Sequence, residues 1–344
     1  MEELYFHCIN QIFKPYQLQI FKLYHKLGNF KKLYETLKLK HNLENIDLEK
    51  EEKNFKKTGI EIIIYGSDNY PSQLKNIDTP PLGFYILGNK NLLKDNNKLL
   101  IAIVGTRKSS SYGNKIAYQF SQQLSNLGII TVSGLAYGID TYVHQGAVDI
   151  HKETIGILGE GIITALKTAK KNLIEKILEN NGLIISEFSP LTPGLPYHFP
   201  LRNRIIAGLS EGVIIVEDPL NSGALITAHY AFKYNKEIFV VPSNITYKSF
   251  EGSHNLIKQG ARLITNIEDI INEFNLNYQL KNKVKNIKLS PKEEIVYEIL
   301  KIQEKTIEEL SQETQLSIQE LLIILTDLEI KEVVKNKGGK FYVI

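Results

Sequence analysis

This sequence predicts an α/β fold: an extended Rossmann-like, doubly wound and mostly parallel sheet, flanked by a small N-terminal helical domain and a C-terminal winged-helix-like domain. Three observations carry that expectation. Seven short Val/Ile/Leu-rich runs, at residues 99–104, 129–133, 154–158, 183–186, 213–216, 238–241 and 261–264, lack polar alternation, as strands buried on both faces do. Helix-period segments separate them, at roughly 112–127, 137–150, 170–181, 202–210, 223–235 and 252–260. Gly, Ser or Thr follows five of the strands directly, against a helix start.

Residues 1–57 read as helical. Leu18, Phe21, Leu23, Leu27, Phe30, Leu33 and Leu37 recur at helical spacing, and Gly28-Asn29 breaks them into a helical hairpin. A Lys/Glu-rich stretch, 49–57, closes the segment. Two short strands, 60–65 and 82–87, lie in a connecting region punctuated by Tyr70-Pro71 and Pro80-Pro81. The α/β domain is expected over 58–274. Residues 275–289 are polar and read as a linker. Residues 290–344 follow as three helices (291–303, 306–314 and 317–330) and a hairpin around Gly338-Gly339, with Thr306 and Glu309 forming a capping box.

Charge is sparing in one kind. Of 41 Lys and Arg residues only four are arginine: Arg107, Arg202, Arg204 and Arg262. Arginine is the residue for planar, bidentate recognition of phosphate, so these four are singled out. Residues 288–344 carry 8 Lys against 11 acids. That is the wrong sign for a phosphate-binding module. One cysteine, Cys8, excludes an internal disulfide framework. The acidic start shows no signal peptide and no apolar run suits a membrane span, so the expectation is a cytoplasmic protein.

In an open parallel sheet, ligands sit at the carboxyl ends of the strands. Glycine-rich loops against helix starts favour anions there. No Gly-x-Gly-x-x-Gly follows the first strand and no P-loop is present, which argues against a dinucleotide and against a P-loop ATPase. Arg107 follows the first strand; Arg202 and Arg204 flank Asn203 at a helix start; Arg262 reads as structural. Glu187, Asp140, His144, Glu217 and Asp218 are the acid/base candidates, with Asp140 and His144 reading equally as a helix cap and a packed histidine. The histidines have no metal-ligand spacing.

At these loops the chain resembles the DNA-processing protein A (DprA/Smf) family over roughly 65–270. The resemblance is carried by Tyr70-Pro71, Pro80-Pro81, Ala102-Ile103-Val104-Gly105-Thr106-Arg107, Ser133-Gly134-Leu135-Ala136-Tyr137-Gly138-Ile139-Asp140, Phe199-Pro200-Leu201-Arg202-Asn203-Arg204 and Ser222-Gly223-Ala224-Leu225-Ile226-Thr227-Ala228. It implies a single-stranded DNA-binding mediator without enzymatic activity or cofactor, which protects incoming DNA and loads the recombinase RecA during natural transformation, working as a homodimer. Carried onto this sequence, it implies phosphate contacts at Arg107, Arg202 and Arg204 and base stacking on Phe199. Gly105, Ser133, Gly134, Asn203, Ser222 and Thr227 would line the site. Where the family has a Tyr-Pro pair after Gly159-Glu160-Gly161, this chain has a basic loop, from which Lys170 and Lys171 would reach DNA. The alternative is a nucleotide-binding enzyme or sensor resembling a phosphoribohydrolase, with Glu187 or Glu217 as general base.

Overall fold

The computed structural model describes residues 1–13, 18–41, 47–94, 98–220, 222–274, 289–331 and 333–343. The chain divides into two compact units, Met1–Leu276 and Asn277–Ile344. Most of the expected linker, 275–288, lies outside the described residues.

The first unit is built on one sheet. Its strands are β1 (Glu61–Ile64), β2 (Gly83–Gly88), β3 (Leu100–Val104), β4 (Ile130–Ser133), β5 (Thr154–Leu158), β6 (Leu183–Ser186), β7 (Gly212–Ile215), β8 (Glu237–Val240) and β9 (Arg262–Leu263). They lie in the order β1-β2-β6-β5-β4-β3-β7-β8-β9. The seven from β6 to β9 are parallel. The strands of the connecting region join the same sheet, β2 running antiparallel to β6 and β1 antiparallel to β2. The parallel strands match the apolar runs closely, except that β9 keeps only two residues, both exposed at the sheet edge.

Residues 1–57 hold four helices among the described residues rather than one hairpin: α1 (Glu2–Ile12), α2 (Leu18–Leu27), α3 (Phe30–His41) and α4 (Leu48–Lys56). Gly28, at φ +79°, makes the break between α2 and α3. The Lys/Glu-rich stretch is itself helical, its first turn capped by Asp47. There follow α5 (Ser72–Lys75), α6 (Ser111–Asn126), α7 (Ile139–Val148), α8 (Ile162–Ala165), α9 (Lys171–Glu179), α10 (His198–Leu209), α11 (Gly223–Lys233), α12 (Glu251–Lys258) and α13 (Glu268–Glu273). Helix α10 begins four residues earlier than its apolar pattern suggests. Pro200 sits in its first turn, where a missing N–H costs nothing.

The N-terminal helices share one core with the sheet: Phe6, Phe30 and Leu33 pack with Tyr85, Ile184 and Leu158. Tyr85, fully buried on β2, brings its hydroxyl 2.9 Å from His7 Nδ1 and accepts from Asn10 Nδ2 at 3.5 Å. Asn10 Nδ2 also donates to the Glu187 carbonyl at 2.8 Å. Burial raises the Tyr85 phenol above its ordinary value, so it stays neutral.

The second unit contains α14 (Pro291–Ile302), β10 (Lys305–Thr306), α15 (Ile307–Thr314), α16 (Ile318–Ile330), β11 (Val334–Lys337) and β12 (Lys340–Val343). Each helix starts with a reciprocal capping box: Ser290 with Glu293, Thr306 with Glu309, Ser317 with Glu320. Gly338 and Gly339, both at positive φ, turn the hairpin, and β10 adds a third strand to it. Val296, Leu310, Leu321, Leu325 and Phe341 form a separate core, giving a winged-helix domain. Among the described residues no helix is long and apolar enough to cross a membrane.

Changing Tyr85 to Phe is expected to destabilise the first unit by about 1–3 kcal/mol, since His7 and Asn10 lose a buried partner. Urea unfolding followed by circular dichroism checks this; an unmoved midpoint refutes it.

Candidate nucleic-acid interface

The sheet order reverses at β3. The chain winds outward from β3 through β4, β5 and β6, then returns to place β7 on the other side of β3. Loops leaving two such strands diverge and leave a crevice. Here it is a cleft of about 510 Å³. Gly105, Thr106 and Arg107 enter it from the end of β3; Ala136 from the β4–α7 loop and Asp140 from the first turn of α7; Phe199, Arg202 and Asn203 from α10; Ser222, Gly223 and Thr227 from the start of α11.

The loop bearing Arg107 is fastened at several points. Thr106 N–H donates to the Glu217 carbonyl at 2.8 Å, and Ile139 N–H donates to the Thr106 carbonyl at 3.3 Å. Gly138 sits at φ +78°, and a Cβ there would lie 2.7 Å from the Arg107 carbonyl oxygen. Glycine is what lets α7 begin against this backbone. Further on, Ser110 N–H and Oγ donate to Glu217 Oε2 at 2.8 and 2.7 Å. The Arg107 side chain is exposed, its guanidinium 4.7 Å from the centroid of the half-buried Phe199 ring. No carboxylate pairs with it among the described residues. Lys170 Nζ lies 5.8 Å from the same ring and is ion-paired with Glu160.

Arg202 lines the cleft but is 3% exposed. Its Nη1 donates to the carbonyls of Gly134 and Ile157, and its Nε donates to Asn203 Oδ1 at 3.1 Å. Burial lowers the guanidinium to about 10 against the pull of Asp140, so it is charged at neutral pH. Asp140 Oδ2 accepts from Gly134 and Ala136 N–H at 3.1 and 3.4 Å. Burial raises this carboxyl, opposed first by Arg202. Only Nη2 of Arg202 makes no hydrogen bond among the described residues.

The remaining sequence candidates separate. Arg204 is not at the cleft: it is buried, donating to Glu187 Oε1 at 2.6 Å and to the Thr79 carbonyl at 3.1 Å. Ser133 is fully buried and donates to the Ile103 carbonyl at 2.7 Å. Gly134 lies beneath the Arg202 guanidinium, which leaves no room for a Cβ. Lys171 is exposed and pairs with Glu175 on α9 at 3.7 Å. Asn203 donates to the Gly223 carbonyl at 3.0 Å, and Ser222 caps α11 through Ala224 N–H at 3.3 Å. Thr227 is buried at the cleft wall.

Of the acid/base candidates Asp140 lines the cleft, its Oδ2 taken by the Gly134 and Ala136 N–H groups, and the others do not join it there. Glu187 is committed to Arg204 and Glu217 to Ser110. His144 is fully buried, its Nδ1 3.0 Å from Thr154 Oγ1. Both Asp218 oxygens are buried and close no hydrogen bond among the described residues, although Ser222 and the Leu225 N–H approach; burial pushes the carboxyl up to about 7. Among the described residues no cluster of His, Cys, Asp and Glu suits a metal.

Residues 61–275 match the family model described as DNA recombination-mediator protein A. The chain belongs to that family. Residues 284–340 match the DprA winged helix domain. The chain is 39% identical over 205 residues to Protein Smf of Escherichia coli, spanning 60% of this chain and 54% of that protein. It is 39% identical over 207 residues to the DNA processing protein DprA of Streptococcus pneumoniae, spanning 60% and 72%. Among solved structures, DprA of S. pneumoniae superposes with a TM-score of 0.66 at 30% identity, over 79% of this chain and 97% of that one. DprA of Helicobacter pylori, whose structure concerns its single-stranded DNA binding mode, gives 0.57 at 30% identity, over 64% and 97%.

One part of the cleft wall went unnoticed in the sequence. The loop before α10, with Pro190, Pro193, Gly194 and Pro196, brings Gly194 and Pro196 to the wall; its density of Pro and Gly was the available signal. Beside the cleft, Glu160, in the Gly159-Glu160-Gly161 loop that the sequence marks, holds Lys170 near Phe199, a pairing that residue type alone does not show.

Buried His144 generates a pH prediction. Burial, helped by Arg202, lowers it to about 3 in the native state, while the unfolded side chain titrates near 6.5. The unfolded chain therefore takes up a proton first, and stability is lost as pH falls from about 6 towards about 3.5, by up to about 1.4 kcal/mol per pH unit. The variant His144→Gln is expected to lose that part of the acid slope in denaturant titrations at several pH values.

Proposed function

We propose that this DprA-family chain is a non-enzymatic single-stranded DNA-binding mediator. The strand's phosphates meet Arg107, and a base stacks at Phe199. The observation that carries this is the pair itself: an exposed guanidinium, without a carboxylate partner among the described residues, held against an aromatic ring at the mouth of a glycine-lined cleft. Cations that track phosphates and rings that stack bases are what sequence-tolerant single-strand binding requires. Thr227, Ser222 and Gly105 line the wall, with Arg202 adding the two N–H of Nη2, which make no hydrogen bond among the described residues. Lys170 joins once it leaves Glu160, and Lys171 stands next to it on the surface. Within that reading, the protein acts in the cytoplasm as a homodimer, protects incoming strands and hands them to RecA during natural transformation and recombination. The rival reading, a phosphoribohydrolase-like enzyme, needs a free general base. Glu187 and Glu217 are both held by protein donors.

Two substitutions test the proposal in a salt-titrated gel shift with oligothymidylate. Arg107→Ala is expected to weaken binding and reduce the salt slope by about 1 without lowering stability. Arg202→Ala is expected to cost about 3–5 kcal/mol of stability first, because the Gly134 and Ile157 carbonyls lose a buried donor and buried Asp140 loses the positive charge near it. Unchanged affinity in a folded Arg107→Ala protein sinks the reading. Glu160→Gln releases Lys170 and is expected to tighten single-strand binding, with a steeper salt dependence; weaker binding would show that Glu160 serves the site as a carboxylate.

A further inference from the structure

A second depression, about 420 Å³, lies between α6 and α7. The β3–α6 loop connects the two sites: Gly105, Thr106 and Arg107 border the cleft, and Ser111 borders the depression. Helix α7 and its leading loop do the same, with Ala136 and Asp140 at the cleft and Tyr142 and Gln145 at the depression.

Two tyrosines mark this route. Tyr137, directly after the cleft residue Ala136, is 66% exposed, and Tyr142 is 36% exposed. Neither hydroxyl has a hydrogen-bond partner among the described residues, so the rings are not held by a polar anchor. Lys108 on the loop and Lys115 on α6 are exposed, and no carboxylate among the described residues pairs with either. The one acid at the depression, Asp149, accepts from the Tyr118 hydroxyl at 3.1 Å. Open aromatic faces beside unpaired ammonium groups make a surface for a single strand, since every base has a face to stack and every nucleotide a phosphate.

We infer that single-stranded DNA leaving the cleft crosses the β3–α6 loop onto this surface, stacking on Tyr137 and Tyr142 with its phosphates at Lys108 and Lys115. The inference rests on the proposed single-strand binding at Arg107 and Phe199, and adds to it a direction of travel and a longer footprint.

The test uses the full chain with two oligothymidylates, a short one of about 5 nucleotides that the cleft holds and a long one of about 20 that exceeds one binding site. The chain has 18 Tyr and no Trp, so intrinsic emission reports stacking on tyrosine directly. The double variant Tyr137→Ala/Tyr142→Ala is expected to bind the long strand about tenfold more weakly and to lose part of the emission quenching, while short-strand affinity stays unchanged. Tyr137→Phe is expected to bind the long strand like the wild type. Lys115→Ala is expected to lower the salt slope by about 1 for the long strand alone. Equal long-strand affinity in wild type and double variant overturns the inference and leaves the cleft reading intact. A wild-type chain that binds neither strand overturns both.

Discussion

A buried positive charge organises the crevice. Arg202 enters from α10 and reaches under the sheet's carboxyl edge, where its Nη1 donates to the carbonyls of Gly134 and Ile157 at the ends of β4 and β5. Asp140 answers the charge and gathers the Gly134 and Ala136 N–H groups at the start of α7. Removing either member leaves the other ionised in a low-dielectric site, which is far costlier than losing an exposed pair. The glycine at 134 follows from this: only a residue without a Cβ fits under the guanidinium. Two strand ends and two helix starts are thus tied to one side chain.

That constraint divides labour among the four arginines. Arg202 and Arg204 are spent inside the protein, the second on Glu187. Arg262 pairs with Glu273 at the sheet edge. Arg107 alone combines exposure, an aromatic neighbour and no carboxylate partner among the described residues. Glu187 also links the site to the N-terminal helices, because its carbonyl accepts from Asn10 while its carboxylate holds Arg204. The loop that leads to Phe199 is therefore braced from α1 as well as from α10.

The sheet was legible because buried parallel strands write themselves as unbroken Val/Ile/Leu runs, and the crevice because glycine and serine must follow them. The two strands before β3 also showed as apolar runs, but nothing local told that they extend the same sheet antiparallel; pairing is a long-range property. At the site, residue type was legible and burial was not. Arg202 and Arg204 are separated by a single residue and look alike in sequence, yet neither points freely to solvent, because α10 packs into the sheet on most of its circumference. Lys170 reads as a free cation until the fold brings Glu160 to it.

The winged-helix unit shows the same principle from the other side. Its deficit of positive charge was already plain in composition, and the fold deepens it. Lys292, Lys301, Lys305, Lys331 and Lys340 are each paired with a glutamate of the same unit. Helix α16, third in the unit, contains no Lys or Arg and exposes Ile318, Leu322, Ile323 and Ile330. A helix that grips a duplex needs donors for phosphate oxygens and base edges, and α16 has one exposed amide, Gln319, among carboxylates and methyl groups. Five of the unit's lysines are thus spent on its own glutamates, whereas the first unit keeps an exposed guanidinium beside an aromatic ring at the carboxyl edge of its sheet.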